Sequence, residues 1–136
     1  MMMKINNSVL FLYLVMIAYS MVGCAGNNIC INLNEKKIIS KEGDIVRFHI
    51  KDDNAIYFFH LKGRIRHQKT VDLENIDLNN DLVDKYPESE KSIFLLKPNR
   101  NYIFTNTTVY DAAPASLNFY IDSLGNFHSL DNRVCE

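Results

Sequence analysis

The chain has 136 residues, of which 47% are hydrophobic and 23% are charged, and its net charge at neutral pH is −1. A nucleic-acid-binding domain usually carries a clear excess of basic residues, so this near balance argues against that class. The length suits one small domain and leaves no room for a second once the N-terminal segment is removed.

The first residues have the order of a secretory signal. Lys4 supplies the one charge, and the apolar run 9–22 that follows has none. A helix needs about 20 residues to cross the hydrocarbon core of a bilayer, and this run is about 14 residues long. We therefore predict a cleaved signal in preference to a permanent transmembrane helix.

The signal ends in Met21-Val22-Gly23-Cys24, which resembles the bacterial lipobox, with methionine where leucine is usual. The resemblance implies that residues 1–23 are removed, that Cys24 is diacylated through its sulfur, and that the new N-terminus is acylated too. Several acyl chains on one residue hold a protein firmly on a membrane. The alternatives are an ordinary signal peptide cleaved near Ala25, which would discard Cys24, and an uncleaved anchor.

Residue Ala25 indicates the address of the lipoprotein. Enterobacterial lipoproteins that stay on the inner membrane have aspartate at this position, so the resemblance implies anchoring to the outer membrane. Residues 24–136 would then form a single periplasmic domain with a net charge of −2, because only Lys4 is charged in the part removed.

Two cysteines, Cys30 and Cys135, remain near the two ends of this domain. Because the periplasm permits disulfides, we predict that they are joined. A reactive thiol or a metal site is the alternative, but no histidine or second ligand neighbours either cysteine in sequence. A bridge over about a hundred residues would stabilise the fold by a few kcal/mol.

From Asn28 onward the chain has the pattern of short strands separated by polar turns. The clearest strand is 45–50, in which apolar and polar residues alternate. The aromatic-rich run 55–61 is predicted to be buried on both faces. Further predicted strands are 28–33, 92–96, 102–105, 117–121 and 127–130, the last two joined as a hairpin through residues 122–126. The pattern predicts an all-β fold, an antiparallel β-sandwich of about 7–8 strands, with the immunoglobulin arrangement as one candidate topology.

The segment 68–91 fits neither strand nor helix spacing and contains seven acidic residues against three lysines. We interpret it as a long acidic connection with a helical turn near 81–86, and such connections are often functional. A basic stretch, residues 62–69, precedes it. Opposite charges arranged in this way favour encounter with a charged protein partner, and the alternative is two solvated surfaces of opposite sign.

No catalytic or metal-binding motif is recognisable. Residues 77, 79, 81 and 88 match four ligand positions of a calcium loop, but Leu82 occupies the position that requires glycine, so a solvated acidic loop is preferred. The four histidines have no ligand spacing and no marked nucleophile beside them; they are His49, His60, His67 and His128. We therefore predict neither an enzyme, nor a cofactor or metal, nor a small-molecule substrate.

Several strand and turn patterns follow the lipobox in a recognisable order: Ile29-Cys30-Ile31, Gly43-Asp44, Lys97-Pro98-Asn99 before Tyr102, and Leu117 to Asp122 with Gly125. Over most of the domain this order resembles the small enterobacterial periplasmic lipoproteins assigned as type VI secretion immunity proteins. The resemblance implies a protein that binds a toxic effector in the periplasm and blocks it by covering its surface.

On that interpretation the acidic segment covers a basic surface of the effector. The residues expected to bind are Asp77, Asp81, Asp84, Glu88 and Glu90. The alternative function is a structural or accessory, pilot-like lipoprotein of an envelope assembly, which would share both the sandwich and the anchor.

Overall fold

The computed structural model describes residues 26–61, 68–76, 82–86, 94–109 and 112–136, together with the helical residues Phe11, Tyr13, Val15 and Met16. Nine strands lie within these ranges: β1 (Ile29–Asn32), β2 (Lys37–Ser40), β3 (Arg47–Lys51), β4 (Ile56–Leu61), β5 (Thr70–Asp72), β6 (Leu82–Tyr86), β7 (Arg100–Asn106), β8 (Ala115–Ile121) and β9 (Phe127–Ser129). The predicted all-β antiparallel sandwich is confirmed, with nine strands where seven or eight were expected.

The strands form two sheets. The smaller sheet has the order β1-β2-β5, and the larger has the order β6-β4-β3-β7-β8-β9. All strand pairs are antiparallel, and β7 pairs with β8 along the whole length of both strands, from Arg100 opposite Ile121 to Asn106 opposite Ala115. This division into three and six strands differs from that of an immunoglobulin domain.

The two sheets share one hydrophobic core, because alternate residues of each strand point inward. Phe48 of β3 is stacked between Phe59 of β4 and Phe104 of β7, with ring centroids 4.9 and 4.7 Å apart. The smaller sheet contributes fully buried aliphatic side chains, among them Ile31 and Ile38. The stacked rings and these side chains belong to a single buried cluster, which holds the two sheets together.

The predicted disulfide between Cys30 and Cys135 is present. It fastens the C-terminal residues to β1, where the N–H of Ile31 donates to the carbonyl of Arg133 at 2.8 Å and the N–H of Cys135 donates to the carbonyl of Ile31 at 2.9 Å. Val134 forms a parallel bridge with Ile31. The edge of β1 that would otherwise be open is therefore covered by the chain itself.

The prediction for 81–86 was wrong. Residues 82–86 form β6, which pairs with β4. The backbone hydrogen bonds that β6 gains from β4 on one of its edges outweigh a local preference in a segment without clear periodicity. The strands β2 and β5 were not predicted at all.

Two further predictions were wrong. Residues 94–96 of the expected strand 92–96 are not a strand; Phe94 instead packs its ring against Tyr57 and Phe59, at 4.8 and 5.1 Å between centroids. The strand β4 is buried on one face only, since Phe58 is 48% exposed whereas Phe59 is 2% exposed. The residues 92 and 93 lie outside the described ranges.

Candidate protein-binding groove

The turn between β8 and β9 is organised by Asp122. The carboxylate of Asp122 accepts the N–H groups of Leu124 and Asn126, each at 2.9 Å, and the side-chain amide of Asn126 at 3.2 Å. Gly125 has φ of 83°, a conformation that favours glycine. Side-chain bonds of this kind are the reason aspartate initiates turns, and they fix the backbone on both sides of Leu124.

His128 of β9 completes the turn. Its Nε2 lies 2.8 Å from the Asp122 carboxylate. This contact, followed by the backbone N–H of Asn126, lowers the pKa of Asp122 well below its ordinary value. The carboxylate therefore stays ionised at neutral pH and keeps its hydrogen bonds.

Leu124 stands at the tip of this turn and is 85% exposed. Below it lies an apolar groove with a volume of about 380 Å³. Leu95, 60% exposed, lies on the lining of the same groove. The remaining lining residues include Leu73, Leu96, Pro98, Ile121 and Phe127. We call this surface the hairpin groove. A concave apolar surface bordered by exposed leucines is typical of a site that binds a partner.

Charged side chains border the hairpin groove on one side. Lys36 forms an ion pair with Glu74, which lines the groove. The Nζ of Lys36 also lies 5.6 Å from the centre of the Phe127 ring. Protein interfaces commonly have this composition, with an apolar centre and a polar rim.

The structure places few of the residues predicted to bind a partner. Asp77, Asp81, Glu88 and Glu90 lie outside the described residues, as do Cys24 and residues 62–67 of the basic stretch. The backbone of Asp84 lies in β6 opposite His60. Asp77 follows Ile76 directly in sequence and comes four residues after Leu73 of the hairpin groove.

The sequence predicts the 122–126 turn but not the groove. One residue could have pointed to a binding surface: Leu124 is apolar, although the other four residues of the turn are polar or glycine and a solvated side chain is expected there. The other walls of the groove come from segments about 25 and 50 residues upstream, so only the folded chain brings them together.

A second exposed apolar surface lies on the outer face of the larger sheet. It consists of Ile56, Phe58 and Ile103, which are 41%, 48% and 37% exposed, and we call it the outer patch. Lys51 lies between Ile56 and Ile103 in the strand register. The His49 ring lies 5.4 Å from that of Phe58, and burial lowers the pKa of His49.

Within the part of the chain that the structure describes, no three histidine, cysteine or acidic residues lie close enough together to hold a metal ion. No helix in those same residues is both long and apolar enough to span a membrane. Comparisons of the chain with protein-family models, with curated proteins and with solved structures find no match.

Proposed function

We propose that the protein is a lipid-anchored immunity protein of the periplasm, which binds a toxic type VI secretion effector and blocks it. The observation that carries the proposal is Leu124, which is 85% exposed beside an apolar groove, on a turn whose backbone Asp122 holds by hydrogen bonds. A backbone that is ordered before binding loses little entropy when a partner covers it. A few residues at the centre of an interface contribute much of its binding energy.

Charge adds specificity to this apolar contact. The acidic segment begins at Asp72 of β5, and Glu74 of the same segment lines the hairpin groove. Because Glu74 is itself paired with Lys36, the attraction for a basic partner would come from the acidic residues that follow in this segment, and such charge speeds encounter. The effector would be inactivated by occlusion of the surface it needs for its own activity.

The anchor is the second part of the proposal. We propose that residues 1–23 are a signal peptide and that Cys24 carries the lipid that holds the protein on the outer membrane. The support is the order of the first residues, a charge, then an apolar run, then a lipobox. The Cys30–Cys135 disulfide supports an oxidising compartment such as the periplasm. A protein held there would meet an incoming effector before the effector reaches its target.

The test takes the product of the neighbouring gene as the candidate effector and produces it in the periplasm of cells that carry either the wild type or a variant. Leu124→Asp is expected to weaken binding about 30-fold, the effect of losing an interface anchor of about 2 kcal/mol, and to abolish protection. Leu130→Asp is the matched control, because Leu130 is 56% exposed but does not line the hairpin groove. Full protection by Leu124→Asp would overturn the proposed binding site, and killing that is equal with and without the wild-type protein would overturn immunity itself.

The outer patch favours a second candidate function, an accessory lipoprotein of an envelope assembly. An apolar surface on the flat face of a sheet suits a large, flat partner subunit. Phe58→Lys would then release the protein from an envelope complex isolated by crosslinking, while Leu124→Asp would leave it bound. Retention of Phe58→Lys in that complex would contradict this alternative.

A further inference from the structure

Asn27 fixes the start of the folded domain to the connection between β7 and β8. Asn27 is buried, with 3% of its surface exposed. Its side-chain N–H₂ donates to the carbonyls of Val109 and Ala113 at 3.0 and 3.2 Å, and its Oδ1 accepts the N–H of Val109 at 2.8 Å. Its own carbonyl accepts the side-chain amide of Asn106 at 3.1 Å. A buried amide with this many partners holds the backbone in one position.

The residues on either side of Asn27 are held as well. The carbonyl of Asn28 accepts the N–H of Lys41 at 2.9 Å. At Gly26, an added Cβ would lie 2.2 Å from a carboxylate oxygen of Glu42, so the backbone packs closely against that side chain. The rigid domain therefore begins at Gly26, and Ala25 is the one residue between it and Cys24.

This spacing limits how far the domain can stand from a lipid on Cys24. An extended chain spans at most about 3.6 Å per residue, so the Cα of Asn27 lies within about 11 Å of that of Cys24. The strand β8 alone, with seven residues, is about 23 Å long. The tether is thus shorter than the domain and cannot let it turn freely.

From this spacing we infer that one end of the sandwich rests directly on the phospholipid surface. The inference rests on the lipidation of Cys24 that the proposed function assumes. The contacting surface, which we call the proximal surface, is formed by Arg47, Thr107, Val109, Ala112, Ala113 and Pro114.

The chemistry of the proximal surface suits a bilayer interface. Ala113 and Pro114 are exposed and uncharged, and residues 107, 109 and 112 are half-buried and uncharged as well. The half-buried Arg47 donates from its guanidinium to the carbonyl of Thr108 at 3.0 Å, so it supports the structure of this surface. Glu42 packs against Gly26.

The orientation determines where the hairpin groove faces. β8 starts two residues after Ala113, at the proximal surface, and ends at Ile121, which lines the groove. The groove therefore lies at the end of the sandwich opposite the proximal surface. A partner can approach that end without displacing lipid.

The absence of tryptophan from the sequence allows a direct test, because one introduced tryptophan reports on its own surroundings. Ala113→Trp and Leu124→Trp are produced in cells from the full-length gene, so that any processing and lipidation of Cys24 takes place, and are then reconstituted into vesicles of phosphatidylcholine and phosphatidylglycerol with nitroxide-labelled headgroups. We expect the fluorescence of Ala113→Trp to be quenched at least twofold more strongly than that of Leu124→Trp. Flotation of the vesicles shows in the same sample whether the protein is anchored.

The outcomes separate the two proposals. Equal quenching of both variants on floating vesicles would overturn the orientation and leave the anchor intact. Protein that does not float would overturn the anchor and the orientation together. A third variant inserts twelve glycine and serine residues between Ala25 and Gly26. It is expected to lower the quenching of Ala113→Trp to the level of Leu124→Trp, and unchanged quenching would show that the short tether does not set the orientation.

Discussion

At the scale of single residues, Asp122 is the side chain on which the exposed turn depends. A carboxylate with a lowered pKa stabilises the folded turn fully at pH values above its ordinary pKa of 3.8, and this contribution is lost as the pH falls below 3.8 towards the lowered pKa. We predict that the Asp122 carboxyl titrates clearly below 3.8 when followed by NMR. Titration of Asp122 at its ordinary value would contradict this prediction.

Asp122→Asn should leave the turn formed but remove its response to acid. The Oδ1 of asparagine can still accept from Leu124 and Asn126, whereas its amide N–H₂ would face the amide of Asn126 and the ring of His128, both of which can donate. We predict several-fold faster amide exchange at Leu124 and Asn126 near neutral pH. The substitution Ser129→Ala, outside the turn, serves as the control and should leave both amides unchanged.

Part of the site, the turn 122–126, could be predicted from the sequence. The run of polar residues and Gly125 was enough to predict the turn, because turn chemistry is local. The predicted hairpin has Ile121 and Phe127 at the ends of its two strands, and these residues pair in the structure. The contact of the His128 ring with Asp122 depends in addition on the conformations of both side chains, which the sequence pattern does not specify.

At the scale of elements, the stack of Phe48 between β4 and β7 joins three neighbouring strands. Phe48 is 1% exposed, and its truncation would leave a cavity in the centre of the larger sheet. We predict that Phe48→Ala lowers the free energy of unfolding by about 3–5 kcal/mol in urea. Phe58→Ala, on the exposed face of β4, is the matched control and should cost less than about 1 kcal/mol. Equal losses would show that the stack contributes nothing special.

Strands that were predicted and strands that were missed differ in pattern more than in length. β8 has seven residues that alternate in burial, and β9, with only three residues, was predicted because a clear turn joins it to β8. β2 pairs with β1 across the short turn 33–36, but its residues Lys37-Ile38-Ile39-Ser40 do not alternate between apolar and polar. β5 has three residues and pairs with β2, more than thirty residues upstream, with Asp72 opposite Lys37. Such short segments carry too little periodicity to be recognised.

At the scale of the whole molecule, the Cys30–Cys135 disulfide closes a loop with a sequence separation of 105. We predict that the double variant Cys30→Ser, Cys135→Ser is less stable by about 2–5 kcal/mol in urea unfolding. Reduction of the wild type with dithiothreitol should give the same loss, and dithiothreitol should not affect the variant. Equal stability of the oxidised wild type and the variant would contradict the prediction.

The fold class and the disulfide could be predicted because each depends on a global property of the chain. Alternation of apolar residues indicates sheets. The disulfide was predicted from two expectations, lipid on Cys24 and an oxidising compartment, which together leave Cys30 and Cys135 as one pair. The hairpin groove could not be predicted in this way. It exists only where Leu73, Leu95 and Leu124 meet, and their sequence positions carry no sign of that meeting.

β1 has β2 on one side and residues 133–135 on the other. A polypeptide is synthesised from its N-terminus, so Ile31 is made about a hundred residues before Arg133, whose carbonyl accepts its N–H. Until residues 133–135 are made, the edge of β1 is open and Cys30 has no disulfide partner. The smaller sheet therefore cannot be completed early in synthesis, and its closure depends on contacts between distant parts of the chain, which form slowly.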